Sequence, residues 1–231
     1  MINDKIIVAL DTQSPAELDN LIFELKDTAS YVKIGMELYY TFGNPIIKRM
    51  KDSGFKVFLD LKMHDIPTTV YKAAKTLAKN GVDMLNVHAA GGIEMMKAAL
   101  EGVNEINDES ILIAVTQLTS TDQNILNNEL YIPGNINNVI LAYAQTTYQA
   151  GLAGVVCSAH EVKMLKENIG IDFKCITPGI RPQGLDANDQ KRIMTPKEAI
   201  SMGTDYMVIG RAITQAASPK EAYLQILKEI S

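Results

Sequence analysis

The chain has 231 residues, 47% hydrophobic and 21% charged, a balance that suits one large folded domain and excludes a disordered or fibrous chain. Lysine and arginine number 22 against 27 aspartates and glutamates, a net charge of −5. That sign is wrong for coating nucleic acid or anionic lipid, so an anionic ligand has to be held by a local cluster.

In chain order, β-rich apolar runs alternate with stretches of helical periodicity. The runs fall at 6–10, 31–34, 56–61, 84–88, 112–118, 154–157, 175–177 and 206–209. Helical spacing is clearest over 15–25, where Ser14 precedes Pro15 as an N-cap, and over 45–51, preceded by Asn44 in the same position. Gly54, Gly81, Gly151 and Gly203 stand just before the next run, where a helix ends in a left-handed turn. Eight such units in one chain of this size point to a single (β/α)8 TIM barrel spanning residues 1–231, with an open doubly wound sheet as the alternative. Two insertions, 119–134 and 182–192, follow strand C-termini, the face on which barrels carry lids and binding loops. No internal repeat is visible.

Cys157 and Cys175 lie in apolar runs and support neither a disulfide framework nor a zinc site. No apolar run approaches the ~18–20 residues of a membrane span, and the first residues lack the flank and core of a secretory signal. A cytoplasmic protein without membrane or nucleic-acid partners is expected.

Charges cluster at the ends of otherwise apolar runs. Asp11 closes IIVALD, Lys33 interrupts YVKIG, Asp60 and Lys62 alternate in FLDLK, Asp65 follows, and Arg211 closes VIGR. Residues two apart on a strand share a face, so Asp60 and Lys62 are expected as neighbours at the barrel mouth. Alone they read as a structural ion pair. With Asp11, Lys33 and Asp65 at the same end they read as a site, because buried charges cost several kcal/mol each unless paired. After the seventh and eighth runs, TPGIRP and GRAI place Gly179, Gly210 and Arg211 where barrels often bind phosphate. His64, His88 and His160 have no metal-ligand spacing; His88 is a candidate for the site, the other two for scaffold or surface.

The run DLKMHDIPTT, with VALD, VKIG, NVHAAGG, VTQLTS, VVCS, TPGIR, ANDQKR and VIGR, resembles the orotidine 5′-phosphate decarboxylase family in its short bacterial form, across nearly the whole chain. The resemblance implies cofactor-free and metal-free removal of CO2 from C6 of orotidine 5′-monophosphate to give uridine 5′-monophosphate (UMP). It implies Lys62 as proton donor, with Asp60 and Asp65 holding it in place and facing the substrate carboxylate; flanking carboxylates favour its ammonium form. It further implies Asp11 and Lys33 at the ribose, Thr119 and Ser120 at the pyrimidine, and Gln190, Gly210 and Arg211 at the phosphate, with Arg181 also in the ligand set. By the same resemblance Asp65, Ile66 and Thr69 reach the site of a neighbouring subunit in a homodimer, and the loop 182–192 closes over the phosphate. Related sugar-phosphate enzymes keep the Asp-x-Lys-x-x-Asp strand but use Mg2+; Ile66-Pro67, VTQLTS and Gln190 favour the nucleotide enzyme.

Overall fold

Short strands separated by helical segments pair in parallel, because each connection has to cross back along one face of the sheet. The structure, a computed structural model, describes residues 4–182 and 194–231. Its strands are β1 (Ile6–Leu10), β2 (Tyr31–Gly35), β3 (Lys56–Met63), β4 (Met84–His88), β5 (Ile111–Val115), β6 (Gly154–Val156), β7 (Lys174–Thr177) and β8 (Tyr206–Ile209). Each pairs in parallel with the next and β8 pairs with β1, so the sheet is a closed barrel and not an open one. The helices are α1 (Pro15–Leu25), α2 (Met36–Phe42), α3 (Pro45–Asp52), α4 (Pro67–Lys79), α5 (Gly92–Asn104), α6 (Ile136–Gln149), α7 (Val162–Ile169), α8 (Pro196–Ser201), α9 (Arg211–Thr214) and α10 (Pro219–Glu229). None is long and apolar enough to cross a membrane among the described residues.

Local signals explain most boundaries. The Glu17 amide donates to the Ser14 hydroxyl at 3.3 Å, Pro15 takes the first turn of α1, and Leu18, Leu21 and Leu25 form its buried stripe. Asn44 departs from the expected cap. Its backbone is already helical (φ −54°, ψ −33°), and its carboxamide oxygen accepts from the Tyr39 hydroxyl instead of a helix amide. Gly54, Gly81, Gly151 and Gly203 all have positive φ, between 77° and 95°, as the turns before β3, β4, β6 and β8 require.

The strands alternate between two apolar environments. Ile7, Ala9, Tyr31, Phe58, Met84, Ile113, Ile176 and Val208 fill the barrel interior, while Val8, Val32, Val57, Leu85 and their neighbours face the helices. The barrel is thus packed below its mouth. Cys157 and Cys175 are buried thiols among α6, α7, β6 and β7. Gly154 is dictated by close approach, since a Cβ there would lie 2.1 Å from the Lys174 carbonyl oxygen on β7.

A matched pair of ion pairs marks the opposite end of the barrel. Asp83, before β4, accepts from Lys51 on α3 and from the Val57 amide of β3. Asp205, before β8, accepts from Lys166 on α7 and from the Cys175 amide of β7. The two halves therefore share a structural device that no sequence repeat announces.

Four strand expectations are corrected at their C-terminal ends, the second running on by one residue to Gly35. The fifth run ends as a strand at Val115 and not at 118; the Thr116 amide and hydroxyl still donate to the Val156 carbonyl, but β6 ends there, and Leu118 is exposed at the mouth. The sixth run accordingly excludes Cys157. The third runs on to Met63 through an irregularity described below. The insertion 119–134 is no loose lid. It contains a wide helical turn over Ile125–Glu129 with Leu126 buried, and Gln123 and Asn127 both donate to the Gly134 carbonyl. Of the insertion 182–192, residues 183–192 lie outside the described residues, as does Gln190.

Candidate active site

Inward-facing strand positions are apolar low in the barrel and polar at its mouth. Lys33, two residues beyond Tyr31, occupies such a position on β2, Asp60 on β3 and Asn86 on β4. They form one chain of alternating charge. The Lys33 Nζ lies 3.4 Å from Asp11 Oδ1 and 3.5 Å from Asp60 Oδ2, and the Lys62 Nζ lies 2.7 Å from Asp60 Oδ1. Asp60 is thus shared by two ammonium groups. Gly35 completes the arrangement by absence, since a Cβ there would lie 2.9 Å from the Lys33 Nζ.

The expected proximity of Asp60 and Lys62 holds, but regular alternation is not its cause. Leu59 pairs with Leu85 and Met63 with Val87, so three residues of β3 stand opposite the single Asn86 of β4. This bulge places Lys62 in the left-handed region, at φ 54°. Such a backbone costs a non-glycine residue of the order of 1–3 kcal/mol and persists only where surrounding contacts impose it. Asn86 supplies two of them: its Oδ1 accepts from the Lys62 amide at 2.8 Å and its Nδ2 donates to Asp60 Oδ1 at 2.7 Å.

Electrostatics follow from the packing. Burial by itself would raise the Asp60 carboxyl pKa, but the Lys33 and Lys62 charges and the hydrogen bonds from Lys62 and Asn86 outweigh it and hold the group below its ordinary value. His88, at the end of β4, has its imidazole pKa lowered, first by burial and then by neighbouring His64 and Lys62. The two imidazole rings lie 5.6 Å apart.

These groups open onto a cavity of about 620 Å³, within the range that accommodates a small-molecule ligand. Asp11, Lys33, Asp60 and Lys62 line one wall, Thr119 and Ser120 the β5 side, and Gly179, Arg181, Gly210 and Arg211 the side of β7 and β8. Of the residues singled out in the sequence, these ten meet in one cleft. Arg181 is largely buried, with one guanidinium nitrogen donating to the Ile180 carbonyl.

Asp65, Ile66 and Thr69 stand apart. All three are exposed, and the Asp65 carboxylate accepts from the Ile66 amide at 2.7 Å. Among the described residues no ion pair joins Asp65 to Lys62, whose carboxylate partner there is Asp60. His160 lines a separate cavity between the 119–134 insertion and α7.

Asn86 is the residue the sequence reading missed. A lone amide in MLNVH, two positions from the core residue Met84, is its signal: an uncharged polar group on the inward face of an apolar strand. Glu37 and Gln215 also border the cleft, from α2 and the end of α9.

Residues 4–226 match the model of the orotidine 5′-phosphate decarboxylase / HUMPS family. The chain is 50% identical over 224 residues to the orotidine 5′-phosphate decarboxylase of Streptococcus suis, covering 96% of each chain. It is 47% identical over 234 residues to that of Lactococcus lactis subsp. cremoris, covering 99% of each. The crystal structure of orotidine 5′-phosphate decarboxylase from Lactobacillus acidophilus superposes with a TM-score of 0.87 at 41% identity, over 99% of this chain and 100% of that one. With a closed barrel, a lysine–carboxylate chain at its mouth and relatives matched end to end, the chain belongs to the orotidine 5′-phosphate decarboxylase / HUMPS family.

Proposed function

We propose that Lys62 is the proton donor in the decarboxylation of orotidine 5′-monophosphate to UMP that this chain carries out in pyrimidine biosynthesis. The observation that carries the assignment is the Lys62 ammonium held 2.7 Å from Asp60 at the cavity wall. Breaking the C6–CO2 bond leaves its electron pair on an sp2 carbon that resonance does not relieve. A fixed ammonium beside that carbon stabilises the developing charge, and its N–H proton then occupies the position CO2 has left. Proton and electron pair balance without a cofactor or metal.

The remaining roles follow the cleft's division. Asp11 and Lys33 hold the ribose hydroxyls, Thr119 and Ser120 the pyrimidine, and Arg211, the Gly210 amide, Arg181 and Gln190 the phosphate. A guanidinium beside backbone amides suits a phosphate dianion. Asp65, Ile66 and Thr69 enter the cleft of a second copy, so the working unit is a cytoplasmic homodimer with shared sites, each copy one catalytic barrel. Their exposure on an edge outside their own chain's cleft supports this reading.

The ultraviolet absorbance of orotidylate follows its loss without added metal. The wild type is expected to turn over, and Lys62→Ala to lose at least about 10³-fold in kcat while still binding UMP. Equal rates in the two proteins refute the role given to Lys62. Activity abolished by chelator and restored by Mg2+ refutes the metal-free reaction.

A further inference from the structure

We infer that Asn86 is a positioning residue for the reaction, setting both the backbone and the ion pair of Lys62; the inference rests on the role proposed for that lysine. It is 1% exposed, in a strand otherwise built for packing. A buried carboxamide costs free energy unless its atoms are bonded, and here its oxygen and its nitrogen each have a partner on the bulge.

The bulge explains why an amide is needed. With three residues of β3 facing one of β4, the regular ladder has no β4 carbonyl for the Lys62 amide. The Asn86 oxygen takes that place, 2.8 Å away, and sustains the left-handed turn at Lys62. The Asn86 nitrogen meanwhile holds Asp60 Oδ1, the same oxygen that receives the Lys62 ammonium. Asn86 therefore ties the start and the end of the Asp60–Lys62 unit to β4. Only an amide of this length offers an acceptor and a donor together: aspartate lacks the donor when ionised, and serine is too short to span both partners.

Two variants test this, each measured for kcat, KM, UMP affinity and thermal stability. Asn86→Ala removes both bonds. Misplacement of a reacting group by about 1 Å costs about 100-fold, and that loss is expected in kcat, with UMP affinity within about threefold of wild type because the phosphate contacts lie across the cleft. Asn86→Asp keeps the acceptor for the Lys62 amide and brings a carboxylate against Asp60. Its new carboxyl meets Asp60 and Lys62 on β3, with Lys33 of β2 held to the same Asp60 and His88 two residues on in its own strand. When protonated it donates to Asp60 as the amide does, so the ratio of its kcat to that of wild type is expected to rise as the pH falls from about 8 to about 5.

The inference is overturned if folded Asn86→Ala keeps wild-type kcat, if kcat and UMP affinity fall together in step with the folded fraction, or if the Asn86→Asp ratio is flat with pH. A wild type without orotidylate turnover sinks the functional reading instead. The positioning is then read from the crystal structure of Asn86→Ala, where a Lys62 Nζ within about 0.5 Å of its wild-type place overturns it.

Discussion

The Lys62 Nζ lies 2.7 Å from Asp60 Oδ1 where β3 leaves regular pairing, and Lys62 itself has a left-handed backbone. A strained residue beside a largely buried carboxylate is a poor way to stabilise a barrel. It is a good way to fix an ammonium in one place.

Asp60 is the acceptor shared by Lys33, Lys62 and Asn86. Replacing it by Ala leaves two ammonium groups without their common partner and is expected to cost about 3–5 kcal/mol, read by denaturant unfolding. A loss under about 1 kcal/mol would show that the lysines find other partners.

The same carboxyl predicts a pH dependence. Its folded pKa is held below the ordinary carboxylate value by the two lysines, against the effect of burial. Its contribution to stability is therefore complete above the unfolded value of about 3.9 and is lost as the pH falls through the depressed folded value. Acid unfolding of wild type and Asp60→Asn should differ in that window, the variant losing less on acidification; parallel curves would contradict the assignment.

Arg211 lines the cleft beside Gly210. A charge-assisted bond to phosphate is worth about 1.5–3 kcal/mol, so Arg211→Ala should raise KM for orotidylate by roughly 10- to 150-fold with a smaller fall in kcat. An unchanged KM places the phosphate elsewhere.

Shared sites predict complementation. Lys62→Ala and Asp65→Ala should each be inactive as homodimers. In a two-fold dimer, refolding them together should return about a quarter of wild-type activity, because half the dimers are mixed and one of their two sites is intact. A mixture as inactive as its components would show that Asp65 does not serve a second subunit.

At the start of β6, Gly154→Ala forces a Cβ toward the Lys174 carbonyl. Overpacking of this kind is expected to cost about 1–3 kcal/mol or more, seen as a lowered Tm, with kcat of the folded protein retained. An unchanged Tm would mean that β6 and β7 separate freely.

Read alone, the amino-acid sequence determined the eight strand–helix units, the capped start of α1, the glycines at positive φ and the charged residues at the mouth, because each depends on neighbours in the chain: a repeat of apolar side chains, a Ser-Pro pair, a turn needing no Cβ. The family resemblance was legible for the same reason, its motifs being short contiguous runs. Only the tertiary structure decided that the sheet closes, that Asn44 serves Tyr39 and not its helix, that Asp60 is shared by Lys33 and Lys62, and that three residues of β3 stand against Asn86. Those outcomes depend on pairing between strands far apart in the chain. Alternation within one strand foresees which face a side chain takes, but a bulge is set by the strand beside it.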